Sequence, residues 1–394
     1  MKKWFMISGL IVILGGLIFI MTSCSSNWDM RTILGIKKEE TITNITDDFG
    51  GINISVDTVD INFVLTSDNS CKVVAYDRKM IRYDVAVEDG ILSVKTVDER
   101  RWFERIFTPG GASLTVYLPK SEYDSLYIDA STGDITVPQD FKLGSIDIQL
   151  STGDTQIYAS ADESVTIKGS TGDVTVEAIT CASLEVKIST GATTLKRVSV
   201  SGNINMECST GDTELSDVSC NNLTSVGDTG DIKITGLTAT ENISVERSTG
   251  DVSVHKIDAA ANLLLKTSTG KIDISSANCA DLRVNVTTGK SYLSNINCSN
   301  FNSTGDTGDL DMTDLIASGK IGIERSTGDV SFNRCDASEL EVETSTGSVT
   351  GALITEKVFI VKTSSGRIDV PETITGGKCK ITTSTGNIKI EIAE

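Results

Sequence analysis

Over most of the chain apolar and polar residues alternate in short runs, and the runs keep a fixed offset from a recurring glycine. Two and four residues after that glycine stand pairs such as Ile135/Val137, Ile232/Ile234 and Ile388/Ile390. Seven and five residues before it stand Leu126/Ile128, Leu184/Val186 and Leu340/Val342. A third pair follows at seven and nine, as in Val218/Cys220 and Ile257/Ala259. Alternation with period two on both sides of one turn predicts short strands with one buried face each. The turn is Ser131-Thr132-Gly133-Asp134, with copies at Gly153, Gly172, Gly191, Gly211, Gly230, Gly250, Gly270, Gly289, Gly308, Gly328, Gly347, Gly366 and Gly386. These fourteen glycines lie 19 or 20 residues apart, a mean of about 19.5, and so tight a period means that each unit stacks on its neighbour.

The expected fold is therefore all-β: a right-handed parallel β-helix, or β-solenoid, of 14 coils over residues 121–394. The hand follows from the preference of parallel crossovers. Equivalent residues about 4.8 Å apart give a rod of roughly 65 Å. An antiparallel meander, with each Thr-Gly-Asp a hairpin, is the competing arrangement. A longer period is also present, since Arg247-Ser248-Thr249-Gly250-Asp251-Val252 recurs 78 residues later at Arg325–Val330.

Before the repeat, residues 41–120 alternate without the motif, and Asp89-Gly90 ahead of Ile91-Leu92-Ser93-Val94 signals a hairpin. This stretch reads as a β-rich cap for the first coil. Asp98 to Phe107 interrupts it with Arg100, Arg101, Trp102, Phe103 and Arg105, read as a loop folded on the domain's own core. Residues 25–40 are a polar tether and residues 1–24 an anchor. There, Lys2 and Lys3 precede an uncharged run from Trp4 to Ser23, long enough to span a bilayer. The positive flank puts the rest outside the cytoplasm. Two anchors stay open: a transmembrane helix, or a lipobox at Met21-Thr22-Ser23-Cys24 with Cys24 lipidated.

The net charge of −19 speaks against nucleic acid, which needs a basic stripe. Cysteines that would suggest disulfides outside the cytoplasm fall in inward columns, where a free thiol packs as a small apolar group. Cys279 and Cys298, neighbours on consecutive coils, are the pair worth testing for a disulfide.

Aspartates one residue after the glycine form interrupted outward stacks at Asp134, Asp154, Asp173, Asp212, Asp231, Asp251, Asp309 and Asp329. Hydrogen bonds from turn N–H groups are the simple account of how the stacked charges are tolerated. A row of weak Ca²⁺ sites is the sharper one, with Asp228, Asp231, Asp251, Asp306, Asp309 and Asp329 as candidate ligands. Lys271, Lys290 and Arg367 at the same position favour charge relief over a metal rail. No cofactor is expected. Catalysis is not expected either: His255 is the single histidine and reads as a solvated corner, and uniform coils leave no long loops to wall a polysaccharide cleft.

The anchor at Trp4–Ser23, the segment Leu114-Thr115-Val116-Tyr117-Leu118-Pro119 and the Ser-Thr-Gly-Asp array together resemble a bacterial family of unknown function labelled "putative adhesins" with β-strand repeats. Together with the anchor, the resemblance implies a membrane-anchored, extracytoplasmic, non-catalytic surface for adhesion or envelope scaffolding that touches an envelope component, and acidic residues concentrated on one face would favour a cationic peptide. Relatives linked to envelope stress imply a sensing or regulatory alternative; a polysaccharide-active enzyme is a distant third. With Ile388, Ile390 and Ile392 running almost to Glu394, the last coil is expected to leave an edge that either associates end to end or is protected by Lys389, Glu391 and Glu394.

Overall fold

The computed structural model describes residues 38–67, 70–78, 81–98, 111–259 and 261–393. Their secondary structure is strand throughout, joined in one sheet. The expected anchor, most of the tether and the 99–107 excursion lie outside the described residues. Those described contain no helix long and apolar enough to cross a membrane.

Mid-stack, the strands pair in parallel with the coils before and after them, with local register shifts such as those at Cys298/Phe301 and Ala317/Lys320. Ile272 lies between Val252 and Ser291, and Leu282 lies between Leu263 and Phe301. Parallel pairing sets aside the antiparallel meander. Three inward runs per coil fill the core, as in Ile232/Ile234, Leu237/Ala239 and Ile243/Val245. Burying each such side chain is worth roughly 1.5–3 kcal/mol, so the columns drive the stacking.

The inward offsets jump by three between the fourth and seventh positions after the glycine, which simple alternation cannot do. The sixth residue absorbs the odd step by taking a left-handed conformation. Arg197, Asp217, Lys256, Asn295, Asp314 and Arg334 all have φ between 51° and 57° there, and Ser276 has 68°. A non-glycine residue in that region is strained by about 1–2 kcal/mol, which the flanking buried pairs offset. This second corner was not apparent in the apolar pattern, because its residue types vary freely.

At the amino-terminal end the chain departs from simple order. Its strands are β1 (Lys38–Ile45), β2 (Gly51–Thr58), β3 (Asp60–Leu65), β4 (Cys71–Arg78), β5 (Ile81–Glu88), β6 (Ile91–Asp98), β7 (Ser113–Leu118), β8 (Glu122–Thr132) and β9 (Ile135–Val137). β2 and β3 stack in parallel on β8 and β9, setting Ile52 on Leu126, Ile54 on Ile128 and Ile61 on Ile135. On their other side they stack, again in parallel, on β6 and β7. Residues 51–118 thus supply two coils to the solenoid, which begins well before residue 121. Antiparallel strands follow outward: β5 on β6, β4 on β7 and β1 on β4. The β5–β6 hairpin turns at Asp89 and Gly90, both left-handed, as its sequence predicts.

The carboxyl end corrects an expectation. The coil of Gly386, strands Gly377–Thr385 and Ile388–Ile392, does not close the rod. It slots between the Gly347 coil and the Gly366 coil: Leu340 pairs with Cys379, and Cys379 pairs in turn with Phe359. Ile388 likewise sits between Val349 and Ile368. The outermost coil is the earlier one, strands Lys357–Ser365 and Ile368–Asp369, and it exposes Val358, Ile360 and Ile368. Its places for the third inward pair hold Thr373 and Thr375, so it has little to bury on that side.

Two lysines tie the inserted coil to its neighbour. Glu341 accepts from Lys380 at 2.8 Å and from Lys320 at 2.6 Å, and Glu339 accepts from Lys378 at 3.2 Å. Hydrogen bonds from Lys320 and then Lys380 hold the Glu341 carboxyl down to about 2. A lowered folded-state value stabilises above the unfolded value and is lost as pH falls through the folded one. Solvent screening keeps such a surface network to about 1 kcal/mol or less. Glu341→Gln is therefore expected to lower stability slightly at pH 7, with the gap to wild type closing between pH 4.5 and 2. Urea midpoints across that range check this; a gap that persists at pH 2 contradicts it.

Candidate functional site: the aspartate corner

The repeated corner is built by its glycine. Thirteen of the fourteen turn glycines have φ between +131° and +157°, open to residues without a Cβ. The coils also pass too close for a side chain. A Cβ on Gly250 would stand 2.1 Å from the Gly230 carbonyl oxygen, and the same contact recurs along the stack. Gly250 N–H donates to the Thr269 carbonyl at 2.9 Å, and Val252 N–H donates to the Lys271 carbonyl at 2.8 Å, so the corner's backbone is tied to the next coil.

The aspartate beside the glycine completes the ladder in the opposite sense. Asp134 Oδ1 accepts from the backbone N–H of Asp154 at 2.9 Å, and Asp154 Oδ1 accepts from Asp173 at 2.8 Å. Asp173, Asp212, Asp231, Asp251, Asp309 and Asp329 each do the same for the following coil. Asp60 in β3 starts the series by accepting from Asp134 N–H. The sequence reading expected turn N–H donors; the donor proves to be the neighbouring coil's. Where the column is cationic, charge relief is direct: Lys290 Nζ lies 2.7 Å from Asp309 Oδ2. That hydrogen bond, then the Asp329 N–H, pulls the Asp309 carboxyl below its usual range.

Across the Gly191 to Gly250 coils the corner opens into a shallow groove of about 410 Å³ lined by Asp212, Glu214, Asp231 and Asp251, with Lys233 the one cation among its lining residues. Of the candidate calcium ligands, Asp231 adjoins Asp251 and Asp309 adjoins Asp329 in the ladder. Asp228 and Asp306 are exposed on the flank, and no three His, Cys, Asp or Glu among the described residues could hold a metal ion. The corner presents fixed carboxylates in file. His255 is exposed beside the second corner, its Nδ1 2.8 Å from Ser275 Oγ.

A second concavity, about 270 Å³, lies between the β1–β2 connection, β4 and the start of β8, lined by Asp48, Phe49, Cys71, Lys120 and Tyr123. Phe49 and Tyr123 stack at 5.5 Å, and Lys120 pairs with Asp48 at 2.5 Å. Burial pushes the Cys71 thiol up to about 11 and the Tyr123 hydroxyl to about 12, so both are protonated at neutral pH. The cysteines of the solenoid are free thiols. Cys279 and Cys298 are direct partners on adjacent strands, and burial raises both to about 12.

One ladder escaped the sequence reading. Asn203, Asn222, Asn242 and Asn262 stand eight residues before successive turn glycines and hydrogen-bond in file, Asn222 Nδ2 to Asn203 Oδ1 at 3.0 Å and Asn262 Nδ2 to Asn242 Oδ1 at 2.8 Å. Their shared offset was the available signal.

The family model described as Toastrack DUF4097 matches residues 49–208, 201–289 and 240–394. No curated protein matches the chain. Among solved structures, a "putative adhesin" from Bacteroides fragilis is 12% identical, with 90% of this chain and 98% of that one covered and a TM-score of 0.18. A "putative adhesin" from Parabacteroides merdae is 11% identical, covering 75% and 96%, with a TM-score of 0.25. A "putative lipid binding protein" from Parabacteroides distasonis is 12% identical, covering 90% and 97%, with a TM-score of 0.21. Likeness at this level carries no argument about what the present chain binds.

Proposed function

Because the chain belongs to the Toastrack DUF4097 family, we propose that it acts as a non-catalytic binding surface, an adhesin or scaffold of the cell envelope. In this reading the run Trp4–Ser23, or lipidated Cys24, tethers a right-handed rod outside the cytoplasmic membrane. The amino-terminal strands shield the end nearest the anchor. The observation that carries the reading is the acidic groove lined by Asp212, Glu214, Asp231 and Asp251, in which the three aspartates are locked in register by the backbone ladder. Fixed like charges in file suit a partner with several cationic groups, such as a basic peptide segment, and recognition of that kind weakens with salt.

A sensing role is the second reading, favoured by the pocket of Phe49, Lys120 and Tyr123 near the anchored end. Crosslinking and capture of the full chain from intact cells separates the two. Asp212→Asn/Asp231→Asn/Asp251→Asn, which keeps an acceptor oxygen in each rung, is expected to abolish capture of a basic partner. Capture that survives this triple change but is lost in Lys120→Ala moves the contact to the pocket. Capture indifferent to both sets of substitutions overturns the surface-binding reading.

A further inference from the structure

The exposed large apolar side chains gather at the ends of the rod. Between residues 112 and 353 only Val226 and Tyr292 are of that kind among the described residues. The short stretch that forms the outermost coil at the carboxyl end supplies five: Ile354, Val358, Ile360, Ile368 and Ile374. Two of them break a pattern kept by the coils beneath. Val358 and Ile360 face outward, in columns that hold Lys378 and Lys380, then Glu339 and Glu341, then Lys320 and Gly322 in the next three coils. Phe359 and Val361 face the core, yet they stay only half-buried because no coil covers them. Val358-Phe359-Ile360-Val361 is therefore apolar on both faces of its strand.

The far edge of that strand is open. Lys357–Ser365 pairs with the inserted coil alone, so one row of its backbone N–H and C=O groups has no neighbouring strand. Edges that resist pairing carry outward charges, lysine above all. In those places this one carries Val358 and Ile360, the latter 53% exposed.

Charge narrows the choice of occupant. The chain carries a net −19, and side-by-side contact would bring its aspartate columns together. Residues 354–376 hold three cations, Lys357, Lys362 and Arg367, and three anions, Glu356, Asp369 and Glu372, so the end coil is neutral. Two copies can meet there without the repulsion that their flanks would feel. The strand is also its own complement. Directly opposed residues of an antiparallel pair share a face of the sheet. A two-fold axis through Ile360, normal to the sheet, keeps both cores on one side. It sets Ile360 on Ile360 of the second copy, Phe359 on its Val361 and Val358 on the apolar stem of its Lys362. Each copy then covers the half-buried pair of the other. At the amino-terminal end the outer strand β1 presents Glu39 and Glu40 beside Ile42 and lacks such a match.

We propose that the edge strand Lys357–Ser365 is a self-association site, where a second copy of this chain pairs antiparallel to give an end-to-end dimer of rods. The contact uses the end coil alone and is independent of what the acidic groove binds.

Sedimentation equilibrium of the full chain in detergent tests this. One strand pair and one coil face make a small interface, so a dissociation constant of about 10 μM is expected. Val358→Glu/Ile360→Glu puts carboxylates beside Lys378 and Lys380, which suits the folded chain, but sets like charges across the axis. It should weaken association at least tenfold, while Ile42→Glu at the other end leaves it unchanged. Should the double variant not fold, Ile360→Lys, which repeats the residue type of its neighbour Lys380, is expected to weaken association in the same sense. A monomer at about 100 μM overturns the proposal and leaves the edge to a strand of another protein. Dimers that survive both changes at the end coil, whether held by Trp4–Ser23 or elsewhere, overturn it too, and so do dimers lost only in Ile42→Glu.

Discussion

Gly250→Ala is expected to destabilise the protein by about 4 kcal/mol or more, among the largest effects of one methyl group. Two costs coincide at that position. The backbone has φ +143°, where an alanine is strained, and the new Cβ would stand 2.1 Å from the Gly230 carbonyl oxygen. Relief would require the Gly230 and Gly250 coils to part, breaking the ladder from Asp231 Oδ1 to Asp251 N–H. Gly90→Ala is the matched control. Its φ of +76° is also left-handed, but nothing lies within 4 Å of the added Cβ, so the cost stays at about 1–2 kcal/mol. Urea denaturation of both variants gives the comparison. A Gly250→Ala midpoint no lower than that of Gly90→Ala would refute the close-approach account of the corner.

Deleting residues 377–394 is expected to release more of the chain than it removes. In a rod stacked in chain order, the loss of the last coil leaves the one before it in place. Here strands Lys357–Ser365 and Ile368–Asp369 pair with the inserted coil alone. Removing it should free residues 354–376 and expose Leu340, Val342 and Val349, all buried in the intact chain. Limited proteolysis should then cut throughout 354–376, and hydrogen exchange there should reach the rate of unfolded peptide. Protection of Val358–Lys362 in the shortened chain would show that these strands find another partner.

The corner was readable because glycine has few substitutes where φ and carbonyl contact both exclude a Cβ, and the core was readable because its columns hold Ile, Val and Leu at fixed offsets. The buried arginines were not. Arg247 and Arg325 occupy the column of Cys208 and Thr267, yet charge alone suggests an outward place; the clue was the glycine one coil earlier, at Gly227 and Gly305. The order of coils at the two ends was hidden for another reason. All coils share one register, so the Gly386 coil fits the Gly347 coil as well as the Gly366 coil does. Thr373 and Thr375, polar in places that from the Gly172 coil to the Gly328 coil hold Ile, Val, Leu, Ala or Cys, were the mark of an end coil. The groove residues were individually visible, but only the ladder shows them fixed in line.

The inserted coils change how the rod bears a load. In a simple solenoid the final strand is an edge strand, and traction on the terminus peels its hydrogen bonds one at a time, like a zipper. Traction on the carboxyl terminus of this chain instead falls on strands flanked on both sides, so that two rows of bonds share the force and must yield together. At the opposite end β2 and β3 are also flanked on both sides, but β1, which precedes them, pairs with β4 alone. The inserted strand thus acts as a clasp at the carboxyl end.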